Sequence, residues 1–98
     1  MTHPLAGKAV LVRAPGSGVF IGTLVRVSKR YGTILKDAQR VWSWTGALDS
    51  LALASAGPAT AKISPVVGTL LIPDGRETCE LSEVGMAAFQ KCRVWNGR

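Results

Sequence analysis

Apolar and polar positions alternate most cleanly between Val19 and Ser28. Val19, Ile21, Thr23, Val25 and Val27 share one face, and Phe20, Gly22, Leu24 and Arg26 share the other. That is the period of two that a β-strand imposes. Gly22 inside this run predicts a bend or bulge where the sheet curls. Upstream, Lys8–Ala14 is rich in valine and leucine and reads as a strand, closed by the turn Pro15-Gly16-Ser17-Gly18. Downstream, Lys29-Arg30-Tyr31-Gly32 is a second turn. Thr33–Lys36 is short and β-like, Asp37-Ala38 reads as a tight connection, and Gln39–Thr45 alternates again. In this last strand Arg40, Trp42 and Trp44 fall on one face. Loops this short imply an antiparallel meander.

The period then changes. Ala47–Ala56 places Leu48, Leu51, Ala52 and Ser55 at helical spacing and stops at Gly57-Pro58, a helix terminator. Lys62–Ile72 returns to β character, with Pro65 marking an edge or a strand start. Pro73-Asp74-Gly75 is a turn and Arg76–Leu81 a further short strand. Ser82 caps a helix over about Glu83–Cys92, Glu83 sits in its favourable first turn, and Leu81 and Met86 hold the positions of a hydrophobic staple. The fold class is therefore α+β. It is a strongly bent antiparallel β-sheet or meander of about five or six strands, with two short helices over about 47–56 and 83–92.

At 98 residues the chain is one domain, 1–98, with residues 1–7 expected as a flexible tail. No apolar run approaches the ~18 residues of a membrane span. The first residues lack the charged start and apolar block of a signal peptide. A cytoplasmic location with no membrane partner is expected, which favours Cys79 and Cys92 as two reduced thiols over the alternative of a bridge between them. Exposed sheet edges at this size make a homo-oligomer plausible.

Charge changes the picture. Residues 1–45 carry seven Lys/Arg (Lys8, Arg13, Arg26, Lys29, Arg30, Lys36, Arg40) against one acid, Asp37, whereas residues 46–98 carry five against five. The whole net charge of +6 thus lies in the first half. A one-sided positive field attracts a nucleotide, nucleic acid or an acidic protein surface. The candidate ligand-binding residues are Arg13, Arg26, Lys29, Arg30, Lys36 and Arg40 around a groove, with Tyr31, Trp42 and Trp44 as stacking surfaces. The competing reading makes the tryptophans core and the charges a solvated rim.

Catalysis needs a positioned base, nucleophile or metal. The single histidine, His3, falls in the expected tail, and neither cysteine has an imidazole to pair with. No His/Cys/Asp/Glu spacing suits a metal, and Glu77 and Glu80 point to opposite faces of a strand. Gly16 and Gly18 lead into a strand and not the helix a phosphate loop requires. No catalytic residue, metal or cofactor is assigned, and the chain is read as a non-enzyme.

Gly7-Lys8-Ala9-Val10-Leu11-Val12-Arg13, a turn, Val19–Ser28, a turn, and Ile34–Ala38 resemble the first strands of an Sm-like RNA-binding barrel, with Gly22 matching its strand-2 glycine. A longer resemblance, over about 8–95, is to small uncharacterised proteins of tailed phages and prophages. It is carried by Gly18-Val19-Phe20-Ile21-Gly22-Thr23-Leu24 and Asp37-Ala38-Gln39-Arg40-Val41-Trp42-Ser43-Trp44. That resemblance implies a phage-borne protein in the host cytoplasm, acting by occupancy on a host protein or an anionic ligand. The alternatives are a virion structural or assembly component, and an Sm-like or SH3-like nucleic-acid module.

Overall fold

The computed structural model describes residues 3–16 and 18–94. In chain order they form β1 (Ala9–Ala14), β2 (Gly18–Ser28), β3 (Gly32–Thr45), α1 (Ser50–Ala56), β4 (Thr60–Ile63), β5 (Val67–Ile72), β6 (Glu77–Glu80) and α2 (Glu83–Gln90). The named strands all pair antiparallel in the spatial order β4-β3-β2-β1-β6, and β5 also pairs with β3. The fold is α+β, dominated by an open six-stranded sheet.

β1 runs through the middle of the molecule. Val10, Leu11 and Val12 are all fully buried, so both faces of the sheet are covered. This explains why Ala9–Val12 is a continuous apolar run. β2 is likewise buried on both faces at Val19, Phe20 and Ile21. An extra residue at Val25 pairs Arg26 with Ile34, so Arg26 does not share the face of Leu24 as its alternation predicts. On one face Leu11, Ile21 and Val41 pack with Leu53 of α1 and Phe89 of α2. On the other, Val10, Val12, Phe20 and Leu24 meet Leu35 and Ile72.

The second core exists because the sheet curls at Gly22. Ile21 pairs with Gln39 and Thr23 with Lys36, so Gly22 alone stands opposite Asp37 and Ala38. Asp37 is the extra residue, held at φ 51°. Such a bulge sharpens the local twist, and it turns the first half of β3 and its partner β5 over the β1–β2 face. The bend expected at Gly22 is there. The break expected at Asp37-Ala38 is not: β3 is one strand of 14 residues, because a bulge absorbs the irregularity without ending the ladder.

The expected strand Lys62–Ile72 is in fact two. Ser64–Val66 separates β4 from β5, and both lie on β3. Ser64 stitches the break to β3: its N–H donates to the Arg40 carbonyl (2.9 Å), and its hydroxyl accepts from the Arg40 N–H (2.8 Å). The helices are shorter than expected. α1 starts at Ser50, because Asp49 caps it by accepting from the Ala52 N–H at 3.0 Å. Ser82 caps α2, accepting from the Gly85 N–H at 2.9 Å. The two helices meet through small residues, and the Ser82 N–H donates to the Ala54 carbonyl (2.9 Å).

Of the expected tail 1–7, Met1 and Thr2 lie outside the described residues. Residues 3–8 form hydrogen-bonded turns: the Gly7 N–H donates to the Leu24 carbonyl (2.8 Å), and His3 Nδ1 accepts from the Leu5 N–H (3.1 Å). Leu5 packs against the second core.

Candidate functional site

The aromatic stretch of β3 sits at a second irregularity. Val41 pairs with Ile63 of β4 and Ser43 with Lys62, two steps on β3 for one on β4. Trp42 is the extra residue. The bulge inverts the alternation, so Arg40, Trp42 and Trp44 do not share a face as the periodicity predicts. Trp44 turns to the side of Val41, half-buried against the helix-covered core. Its indole N–H donates to the Ala47 carbonyl (3.2 Å). Trp42 stays at the surface, 51% exposed.

Arg40 lies directly across the β2–β3 pair from Phe20. Its guanidinium carbon is 5.1 Å from the Phe20 ring centroid and 5.4 Å from that of Trp42. Each contact is an attraction between a cation and a ring quadrupole, about 0.5–2 kcal/mol depending on desolvation. The Arg40 Nε is buried with no hydrogen-bond partner. A buried donor without an acceptor is costly, and this one lies beside the exposed Trp42 indole.

On the opposite face, Arg13, Val19, Trp44, Asp49, Ser50, Leu51 and Glu77 line an open cleft of about 370 Å³. Arg13 and Glu77 are cross-strand partners, and Arg13 Nε lies 3.7 Å from Glu77 Oε1. The same carboxylate oxygen accepts from the Ser50 hydroxyl (3.0 Å). Sequence reasoning found Arg13 and Trp44 but not Phe20, Ser50 or Glu77. The pairing of Phe20 with Arg40 needed the register, and that of Arg13 with Glu77 needed β6 placed beside β1.

The remaining candidates lie elsewhere. Lys29, Arg30 and Tyr31 form the β2–β3 turn, exposed, with the Arg30 guanidinium 5.4 Å from the Tyr31 ring centroid. Ser28 Oγ shapes the turn by accepting from the N–H groups of Arg30 (3.1 Å) and Tyr31 (3.2 Å). Arg26 and Lys36 are exposed on strands behind that tip. The nine candidates thus divide among three places: Arg40 with Trp42, Arg13 with Trp44, and the hairpin group. They do not ring one groove, because the two bulges of β3 send its side chains to different surfaces.

Both cysteines are free. Burial pushes the Cys79 thiol above its ordinary pKa, and the neighbouring Glu77 carboxylate adds to the shift. Among the described residues no group of three or more His, Cys, Asp or Glu could hold a metal ion, and no helix is long and apolar enough to cross a membrane.

These features define a small α+β protein with a curled sheet and a half-buried arginine beside two aromatic rings. Residues 7–91 match the family described as a domain of unknown function (DUF6948), and the chain belongs to that family. No curated protein matches it.

Proposed function

We propose that the chain is a small, non-catalytic binding protein, encoded by a phage or prophage, that captures an anionic target in the host cytoplasm. The target is a nucleotide, a nucleic acid or an acidic surface of a host protein, and the protein acts by occupying it. The observation that carries this reading is Arg40, whose buried Nε has no partner and whose guanidinium lies beside Phe20 and the exposed Trp42. A phosphate or carboxylate pairs with the outer nitrogens of the Arg40 guanidinium, and Trp42 offers a base or ring a stacking surface. The net charge of +6 draws such targets in from a distance.

Tryptophan fluorescence during titration with nucleotides and short oligonucleotides tests the reading. Binding should saturate, weaken as salt rises, and fall about tenfold or more in Arg40→Gln and in Trp42→Ala, the size expected for losing a charge-assisted contact. If neither variant alters the titration, the Arg40 site is not the binding site. A second reading, a virion component, is favoured by the apolar side chains left outside: Leu48 is 95% exposed, Val84 65% and Leu51 56%. Copies of the chain in purified particles would establish it.

A further inference from the structure

Three strands of the sheet end a pairing path, and they are protected unequally. β4 carries Lys62 and is bridged at Ile63 to Val94. β6 has four residues with a carboxylate at each end, Glu77 and Glu80, ion-paired to Arg13 and Lys8. β5 pairs with β3 on one side, and among the described residues no strand pairs with its other side. It has no charge at all: the run from Ile63 to Pro73 contains no Lys, Arg, Asp or Glu. Proline stands only outside the strand, at 65 and 73, and the six residues of β5, Val67–Ile72, hold none. Edges that must stay unpaired carry charges, proline or bulges within them. β5 has none within it, and Val66, Val67 and Leu71 are about half exposed (58%, 46% and 48%).

The face beside this edge is basic. Paired residues on adjacent strands share a face, so Lys36 stands beside Thr69, and Arg26 beside Ile34 and then Leu71. Arg26 and Lys36 are exposed and have no carboxylate partner among the described residues. A strand added outside β5 would place side chains next to Thr69 and Leu71 on this face. Val67 instead pairs with Ala38 of the second core, beyond the Asp37 bulge. The added strand would lie about 10 Å from the Lys36 backbone, a gap that a lysine and a glutamate side chain close between them.

We propose that the free edge of β5 is a docking site for an extended acidic peptide segment of a partner protein, taken up by strand addition. The peptide carries an acidic and an apolar residue two positions apart, its apolar side chain packing on Leu71 and its carboxylate reaching Lys36. Main-chain hydrogen bonds supply affinity and alternate side chains supply selection. A second copy is the poorer occupant. Its own β5 offers leucine but no carboxylate, leaving Lys36 unanswered. This site is separate from Arg40, and the two proposals stand or fall apart.

The test is fluorescence anisotropy of a fluorescein-labelled peptide, Ser-Val-Thr-Glu-Thr-Val-Ser, beside a twin with lysine at its centre. A cross-strand charge pair contributes up to about 1 kcal/mol, so the glutamate peptide should bind about fivefold more tightly than its twin. Lys36→Glu, at an exposed position, should reverse that preference while circular dichroism stays unchanged. Trp42→Ala should leave both affinities as they were. Equal binding of the two peptides, no binding of either, or a preference that survives Lys36→Glu overturns the proposal. So does sedimentation showing a dimer that Leu71→Lys dissociates, which would assign the edge to a second copy.

Discussion

Gly22 and Ala38 come so close across the β2–β3 pair that a Cβ on Gly22 would lie 3.1 Å from the Cα of Ala38, and equally near the Lys36 carbonyl oxygen. That approach is the crease of the sheet. Removing a glycine from a strand gains about 0.5–1 kcal/mol, while overpacking costs about 1–3 kcal/mol. Gly22→Ala should therefore leave stability nearly unchanged or slightly lower, and Gly22→Val should lower it by about 1–3 kcal/mol, read from urea unfolding. A stabilised valine variant would mean the crease is not close-packed.

Gly85 sits in the first turn of α2, where alanine normally adds up to about 1 kcal/mol of helix propensity. Here a Cβ would lie 2.5 Å from the Ala54 carbonyl oxygen, a backbone atom that cannot swing aside. Gly85→Ala should thus destabilise by about 1–2 kcal/mol net. An increase in melting temperature would show that the helices separate more easily than their contact implies.

The two tryptophans of β3 should respond differently to truncation. Trp42 is half exposed and its ring lies against Arg40, so Trp42→Ala should cost about 0.5–1 kcal/mol, the size of an exposed cation–ring contact. Trp44 packs on the helix-covered core and holds the Ala47 carbonyl, so Trp44→Ala should cost about 2–3 kcal/mol, below the full loss of a wholly buried aromatic. Denaturant midpoints of the two variants decide this. Equal losses would put both rings in the same environment.

Cys79 makes stability depend on alkaline pH. Burial first, and the Glu77 carboxylate second, raise its pKa from the ordinary 9.0. The unfolded chain therefore loses this proton at lower pH than the folded one. The contribution is fully present below the ordinary thiol range and is lost as pH climbs from about 9 through the raised folded value. The urea midpoint should fall between about pH 8 and pH 10, and fall less in Cys79→Ala. Parallel falls in the two proteins would assign the loss to other groups.

The candidate site was legible in part. Arg40 and Trp42 could be paired from their spacing, and the structure stacks them. Placing Trp44 beside them failed because one extra residue in a strand reverses every side chain beyond it. No local signal marks that residue, since the bulge is set by how β4 pairs with β3. The number of strands expected was also right for the wrong reasons. Two expected strands fused at Asp37-Ala38 and one divided at Ser64–Val66.

What the sequence determined by itself was local. The cap at Ser82, the break at Gly57-Pro58 and the crease at Gly22 follow from cap chemistry, helix-stopping residues and the absence of a Cβ. Each of these acts within a few residues along the chain. Tertiary structure alone decided which faces those elements turn to one another. It buried β1 on both sides, laid β4 and β5 along one strand, and sent Arg40 and Trp44 to opposite surfaces. Those outcomes depend on register between strands distant in sequence, which is set by the packing of two cores together and by no single segment.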